Sequence, residues 1–239
     1  MPNPTAAMLV IGDEILSGRT RDANMHHLAG VLTQIGVDLK EARVVSDDPD
    51  AIIAAVRGLS ATYDHVFTSG GIGPTHDDIT ADCVAAAFDR PIDVRADARA
   101  LLEAHYQRSG QELNAARLRM ARIPDGAALI DNPVSTAPGF TIENVHVMAG
   151  VPSVFRAMVD SVLPGLTGGQ PLISDTLRIE RPEGEIAGPL GEVAKAFPDL
   201  SLGCYPFNKD GVLGANVVLR GQDAAMIGQA RSQLLALFA

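Results

Sequence analysis

Three times along this chain an apolar run ends in a glycine-bearing turn that opens a helix. No other feature constrains the fold as strongly. Ala6-Ala7-Met8-Leu9-Val10-Ile11 ends at Gly12-Asp13-Glu14. His65 to Thr68 runs into Ser69-Gly70-Gly71-Ile72-Gly73-Pro74. Val145-His146-Val147-Met148 leads to Gly150-Val151-Pro152-Ser153. Apolar runs without polar alternation fit strands covered on both faces, as in a parallel sheet flanked by helices. The intervening segments have helical spacing. Met25, Leu28, Ala29, Leu32 and Ile35 share one face, with Asp22 or Asn24 as cap and Gly36 as stop. After a strand expected at 37–45, Asp48-Pro49 opens a helix carrying Ile52, Ile53, Val56 and Leu59. Strands alternating with helices predict an α/β fold, a doubly wound and mostly parallel sheet. Such sheets bind ligands at the carboxyl ends of their strands, which is where all three turns fall.

The remainder divides at Leu163-Pro164-Gly165 through Gly168-Gly169-Gln170-Pro171. Before it, residues 95–122 read as a helical excursion with a stop at Gly110, followed by a strand at 127–130 and a hairpin at 140–148. Beyond it the order is βαββα. Leu177 and Ile179 alternate with charged residues, and Pro189 is expected to start a short helix. Strands near 200–205 and 212–220 flank a turn at Asn208-Lys209-Asp210-Gly211, and a last helix runs over 223–238. The expected organisation is a ligand-binding α/β domain at 1–168 and a small α+β domain at 172–239.

The 69–80 turn carries the chemistry. Its three glycines let the backbone approach a ligand, and the helix start beyond it presents free N–H groups to an anion. Asp77 and Asp78 stand in the same turn. Carboxylates beside a phosphate imply a divalent metal between them. The string is neither a Walker A motif nor a clean G-x-G-x-x-G. Composition narrows the partners. With 29 Asp+Glu against 19 Lys+Arg the formal net charge is −10, which argues against nonspecific nucleic-acid or membrane-surface binding. The two cysteines, Cys83 and Cys204, have no metal-ligand spacing, and a reducing cytoplasm is the expected compartment. Neither a leader pattern nor an apolar run of about 20 residues is present to imply a membrane.

The longer string Ser69-Gly70-Gly71-Ile72-Gly73-Pro74 with Asp77-Asp78-Ile79-Thr80 resembles the signature of the molybdopterin-binding MoaB/Mog fold family. Ile11-Gly12-Asp13-Glu14-Ile15-Leu16-Ser17-Gly18 with Asp22-Ala23-Asn24 is similar to the first motif of one branch. That branch is the N-terminal portion of competence/damage-inducible protein A (CinA), related to part of some eukaryotic FAD synthases. Asn132-Pro133-Val134-Ser135-Thr136-Ala137-Pro138-Gly139 and Ala149-Gly150-Val151-Pro152-Ser153 resemble its later motifs, Ala149 standing where a proline is commoner. The tail matches that branch's small KH-like domain. Nothing in the chain resembles the deamidase domain of full-length CinA, and that activity is not carried over.

The resemblance implies binding of a phosphorylated pterin or nucleotide. In the CinA branch it implies metal-dependent cleavage of the pyrophosphate of ADP-ribose to AMP and ribose 5-phosphate. The alternatives are a non-catalytic molybdopterin- or nucleotide-binding protein and a transferase of molybdenum-cofactor assembly. Asp78 matches the motif aspartate and is expected as metal ligand or water-orienting base, with Asp77 sharing its role; the bland alternatives are a helix cap and a solvated turn residue. Asp13 or Glu14 would complete the metal site, or else tie the following loop. Gly70, Gly71 and Gly73 would donate N–H groups to phosphate, with hydroxyl contacts from Ser69 and Thr80, the latter equally a helix cap. Gly12, Gly150 and Pro152 would line the same site. Asp22 and Asn24 would be ligand or loop-ordering residues, or simple caps. The implied cofactor is Mg²⁺, Mn²⁺ or Co²⁺, optionally with a monovalent cation, and the implied assembly is a homo-oligomer. His76 is expected to be exposed rather than catalytic. Gly188-Pro189-Leu190-Gly191 has the G-x-x-G form of a KH loop without basic residues in its middle, so no nucleic-acid partner is expected.

Overall fold

The structure, a computed structural model, describes residues 2–209 and 211–238. Asp210, within the turn expected at 208–211, lies outside the described residues. The chain forms two compact units, one ending at Gly169 and the other starting at Gln170.

In the first unit β1 (Thr5–Ile11) is followed by the single turn α1 (Asp13–Leu16), α2 (Asn24–Gln34), β2 (Asp38–Val45), α3 (Pro49–Thr62), β3 (His65–Ser69) and α4 (Thr80–Ala87). The excursion holds β4 (Ile92–Val94), α5 (Ala96–Arg108), α6 (Ala115–Leu118) and β5 (Arg122–Pro124). Then come β6 (Ala128–Ile130), β7 (Gly139–Ile142), β8 (Val145–Met148) and α7 (Pro152–Val162). The main sheet has the order β2-β1-β3-β8-β7-β6. Neighbours from β2 to β8 are parallel, whereas β7 runs antiparallel to both β8 and β6.

This is the mostly parallel α/β sheet that the apolar runs imply. Their side chains separate by parity. Ala7, Leu9 and Ile11 of β1 join Ile52, Val56 and Leu59 of α3 on one face. Ala6, Met8 and Val10 join Leu28 and Leu32 of α2 and Phe155 and Val159 of α7 on the other. Both faces are therefore buried, and a polar residue in these strands would lose its water without a partner. Register then decides where the strands end. Val10 lies beside Ser69, and Ser69 beside Met148, so Gly12, Gly70 and Gly150 emerge at one edge of the sheet. Local chemistry sets the helix starts. The Asp48 carboxylate accepts from the Ala51 N–H at 2.9 Å and caps α3, with Pro49 in its first turn.

The second unit is β9 (Ile173–Ile179), α8 (Glu183–Ala196), β10 (Ser201–Lys209), β11 (Val212–Gly221) and α9 (Ala224–Phe238). Its antiparallel sheet has the order β10-β11-β9. Ile186 and Val193 of α8 and Ile227, Ala230 and Leu234 of α9 pack with Ala215, Val217 and Leu219 of β11. One expectation is corrected here. Pro189 does not start a helix but lies inside α8, which begins six residues earlier at Glu183. Ile186 on one side of the proline and Val193 on the other are both fully buried. Their burial keeps the helix continuous despite the amide that proline lacks. The Gly188–Gly191 string is consequently helical and does not form a loop.

Candidate functional site

The aligned strand ends open into a cavity of about 650 Å³. It is lined by Ile11, Gly12 and Glu14 after β1, Asp47 after β2, the glycine turn with Asp77 and Asp78 after β3, and Gly150, Val151 and Pro152 after β8. A pocket of this size takes a ligand on the scale of a nucleotide or a reduced pterin.

Two glycines let the turn fold onto itself. Gly71 has φ +68°, and a Cβ there would collide with the Thr80 hydroxyl. A Cβ on Gly73 would lie 2.6 Å from Asp78 Oδ2. The turn is anchored from below. Thr80 is fully buried, its Oγ1 donates to the Gly70 carbonyl at 3.0 Å and its N–H donates to the Gly71 carbonyl at 2.9 Å. Thr80 thus supports the turn from the core side and does not face the cavity. Asp78 Oδ2 accepts from the Thr75 N–H at 2.7 Å and from the Thr75 hydroxyl at 2.6 Å. Its second oxygen accepts no hydrogen bond from any described residue. Arg119, from the segment after α6, donates to the Asp78 carbonyl at 3.3 Å and steadies the turn from the excursion side.

Ser69 and Asn24 also lie beneath the cavity. Asn24 is buried, and its Nδ2 donates to Ser69 Oγ at 2.7 Å and to the Gly150 carbonyl at 2.8 Å. A carbonyl can only accept, which fixes the amide orientation. Asn24 Oδ1 is then buried without a partner among the described residues. Asp22 accepts from the N–H groups of Asn24 and Met25 at 3.3 and 3.0 Å and caps the first turn of α2. Asp13 is exposed and lies off the cavity wall, its N–H donating to Asp47 Oδ2 at 2.9 Å. His76 is exposed and contributes nothing to the wall.

The cavity is also lined by Asp47, Arg19 and Met120, which no sequence motif assigns to the site, and by Asn132 and Ser135, which belong to the Asn132–Gly139 string without a role expected from it. Asp47 was within reach, because it follows β2 at the same sheet edge. Burial, followed by the neighbouring Asp13, Glu14 and Asp77 charges, pushes its carboxyl above the usual carboxylate range; the Asp13 N–H opposes this. Asp77 is held below that range by the neighbouring Thr75 side chain and its own amide, which favour the charged carboxylate. Burial raises the Cys83 thiol to about 11, consistent with a small core residue and not a nucleophile.

The wall has two chemically distinct halves. Glu14, Asp47, Asp77, Asp78 and Arg19 surround the glycine turn, whereas the stretch from Asn132, Ser135 and Ala137 to Val151, Pro152 and Val154 carries no charge. Among the described residues no three His, Cys, Asp or Glu side chains are assembled around a metal position. The carboxylates nevertheless suit Mg²⁺ or Mn²⁺. These hard ions take oxygen donors and are held through one or two carboxylates plus ligand phosphates and water, without a complete protein cage. The free oxygen of Asp78, with Glu14 or Asp77 on the same wall, meets that requirement.

Comparison with known proteins gives a separate line of support. A family model described as a probable molybdopterin binding domain matches residues 7–168, and one described as the middle domain of FAD synthase matches residues 171–239. A CinA-like protein of Citrifermentans bemidjiense is 41% identical over 167 residues, covering 68% of this chain and 40% of that protein. A probable FAD synthase of Caenorhabditis elegans is 34% identical over 227 residues, covering 84% of this chain and 44% of that protein. The chain thus spans less than half the length of either relative. Among solved structures, CinA of Thermoplasma acidophilum, described as of unknown function, superposes with a TM-score of 0.63 at 34% identity, covering 69% of this chain and 99% of that one. No helix among the described residues is long and apolar enough to cross a membrane.

Proposed function

Because the chain belongs to the molybdopterin-binding MoaB/Mog family, close to the CinA-like proteins, we propose that its cavity binds a phosphorylated nucleotide or pterin and hydrolyses the pyrophosphate of ADP-ribose or a related dinucleotide. The observation that supports this is the division of the cavity wall. A glycine turn and four carboxylates form one half, and uncharged residues form the other. A ligand with phosphates at one end and a sugar or heterocycle at the other matches both halves.

The residues divide the work. The N–H groups of Gly71 and Gly73 receive phosphate oxygens, whereas the Gly70 N–H, expected among them, is taken by the Met148 carbonyl at 3.2 Å, which ties the turn to the end of β8. Asp78, with Glu14 or Asp77, would hold the divalent ion, which would supply positive charge to the phosphates. Alternatively the Asp78 oxygen not engaged by Thr75 would orient a water towards phosphorus, with Glu14 and Asp77 left to hold the ion. Water adds to one phosphorus, the bridging P–O bond breaks, and AMP and ribose 5-phosphate leave, sharing the oxygen and hydrogens of the water. Asn132 and Ser135 offer polar contacts to the sugar or ring on the neutral half.

A second reading, holding molybdopterin or a nucleotide without cleaving it, is favoured by one observation: no metal-ligand group is preassembled among the described residues. Incubation of the whole chain with ADP-ribose under Mg²⁺, Mn²⁺ or Co²⁺ separates the two. Hydrolysis gives AMP and ribose 5-phosphate in equal amounts. No AMP with any metal, alongside tight molybdopterin binding, sinks the hydrolase reading.

A further inference from the structure

Among the described residues the cavity wall carries the carboxylates of Glu14, Asp47, Asp77 and Asp78 but a single cationic side chain, Arg19. An anionic ligand is repelled by such a wall unless positive charge is supplied to it. Arg19 lies in the loop of residues 17–23 between α1 and α2, and the backbone of that loop is fixed. The Ser17 N–H donates to the Asp13 carbonyl at 2.8 Å, Gly18 N–H to Ile15 at 3.1 Å and Thr20 N–H to Glu14 at 2.9 Å. On its far side the Asp22 carboxylate holds the amides of Asn24 and Met25. The exposed Arg19 side chain makes no hydrogen bond or ion pair with any described residue, although four carboxylates share its wall. The arginines on the other side of the turn are committed, Arg119 to the Asp78 carbonyl and Arg122 to the Asp82 carboxylate. A fixed loop thus presents one uncommitted guanidinium at the charged half of the cavity.

We infer that Arg19 determines specificity for diphosphates: the glycine turn takes one phosphate and the Arg19 guanidinium takes the second. This rests on the phosphate reading of the site given above. A first phosphate finds N–H groups on the turn. A second adds charge that needs its own counter-charge, and Arg19 is the remaining cation on the wall. The planar guanidinium engages two phosphate oxygens at once through charge-assisted hydrogen bonds, and a lysine does not reproduce that fork. The cavity therefore distinguishes a nucleoside diphosphate from a monophosphate by one side chain.

The test is calorimetric binding to the whole chain, with Mg²⁺, of adenosine α,β-methylene diphosphate, whose P–C–P bridge resists hydrolysis, and of AMP. The wild-type chain is expected to prefer the diphosphate. Arg19→Ala should weaken the diphosphate about ten- to a hundredfold and AMP by no more than about threefold, so that the preference collapses. Arg19→Lys should restore part of it. Arg21→Ala, which removes the same charge two residues away and off the cavity wall, should keep the wild-type ratio. Thermal midpoints of the variants establish that each remains folded. A wild-type ratio in Arg19→Ala, or equal loss for both ligands, overturns the assignment and leaves the phosphate reading standing. If the wild-type chain binds neither ligand, the phosphate reading falls and the Arg19 assignment falls with it.

Discussion

The Asn24 side-chain amide donates to the Ser69 hydroxyl at 2.7 Å, and the same nitrogen donates to the Gly150 carbonyl at 2.8 Å. One side chain at the start of α2 thereby joins the ends of β3 and β8. These are two of the strand ends that form the cavity floor. Asn24→Ala leaves the Ser69 hydroxyl and the Gly150 carbonyl without this donor in a buried place. It should cost about 1–3 kcal/mol in urea denaturation. Asn24→Asp sets a carboxylate against the Gly150 carbonyl and should cost more than the alanine variant. A wild-type unfolding midpoint for Asn24→Ala would show that the bridge contributes nothing to stability.

Gly71 is a turn position that cannot take a side chain without strain. Its φ of +68° already disfavours other residues, and an added Cβ meets the Thr80 hydroxyl that supports the turn from below. Gly71→Ala should destabilise the fold by about 1–3 kcal/mol and abolish detectable nucleotide binding. Gly110 also has positive φ but has open space where its Cβ would stand. Gly110→Ala should therefore cost less stability and leave binding intact. Equal effects at the two glycines would refute the role given to the turn.

The His146 imidazole lies in the core, with Thr141 Oγ1 3.0 Å from its Nδ1, His65 Nδ1 3.4 Å from its Nε2, and the Phe67 ring beside it. Burial, aided by the nearby His65, lowers its pKa from 6.5 to about 4. Below pH 6.5 the unfolded chain takes up this proton, whereas the folded chain refuses it until about pH 4. Stability is therefore complete above the higher value and falls as the pH drops through this window, by about 3 kcal/mol at most. His65 is shifted in the same direction and adds to the slope. His146→Gln should flatten the pH dependence of the urea midpoint between these limits. An unchanged slope would mean that the imidazole is not held neutral by the fold.

Asp78 is assigned to the reaction and not to the framework. Asp78→Asn keeps an oxygen for the Thr75 N–H and hydroxyl, so its thermal midpoint should stay near that of the wild type. Hydrolysis of ADP-ribose should fall at least about a hundredfold. Chelation with EDTA should stop turnover in the wild type, and added Mg²⁺ or Mn²⁺ should restore it. Full activity in Asp78→Asn would move the chemistry to another carboxylate on the wall.

The parts of the fold readable from the sequence are those where burial leaves few choices. The apolar runs of β1, β3 and β8 fit only strands covered on both faces, and their glycine turns mark the sheet edge that carries the cavity. Short pieces were not readable. Three residues each in β4 and β5 carry too little periodicity to declare a strand. Pro189 misled because proline favours a helix start, while buried Ile186 and Val193 on either side hold α8 continuous through it. At the site, the turn and its aspartates were visible as a contiguous string. The Asn24 bridge was not, since its partners lie 45 and 126 residues away. Met120 reaches the cavity only through the chain's path over the sheet edge, of which local spacing carries no trace, and the Asn132–Gly139 string is recognisable as a motif but does not say that Asn132 and Ser135 face the ligand.

The most direct measurement of the central claim is a crystal structure of the chain with Mn²⁺ and AMP, using the anomalous signal of manganese to locate the ion. The expected result is manganese bound to the Asp78 carboxylate, with the AMP phosphate on the N–H groups of Gly71 and Gly73 and its ribose or adenine against Asn132 and Ser135. Manganese away from Asp78, or a phosphate seated on the uncharged half of the cavity, would contradict it.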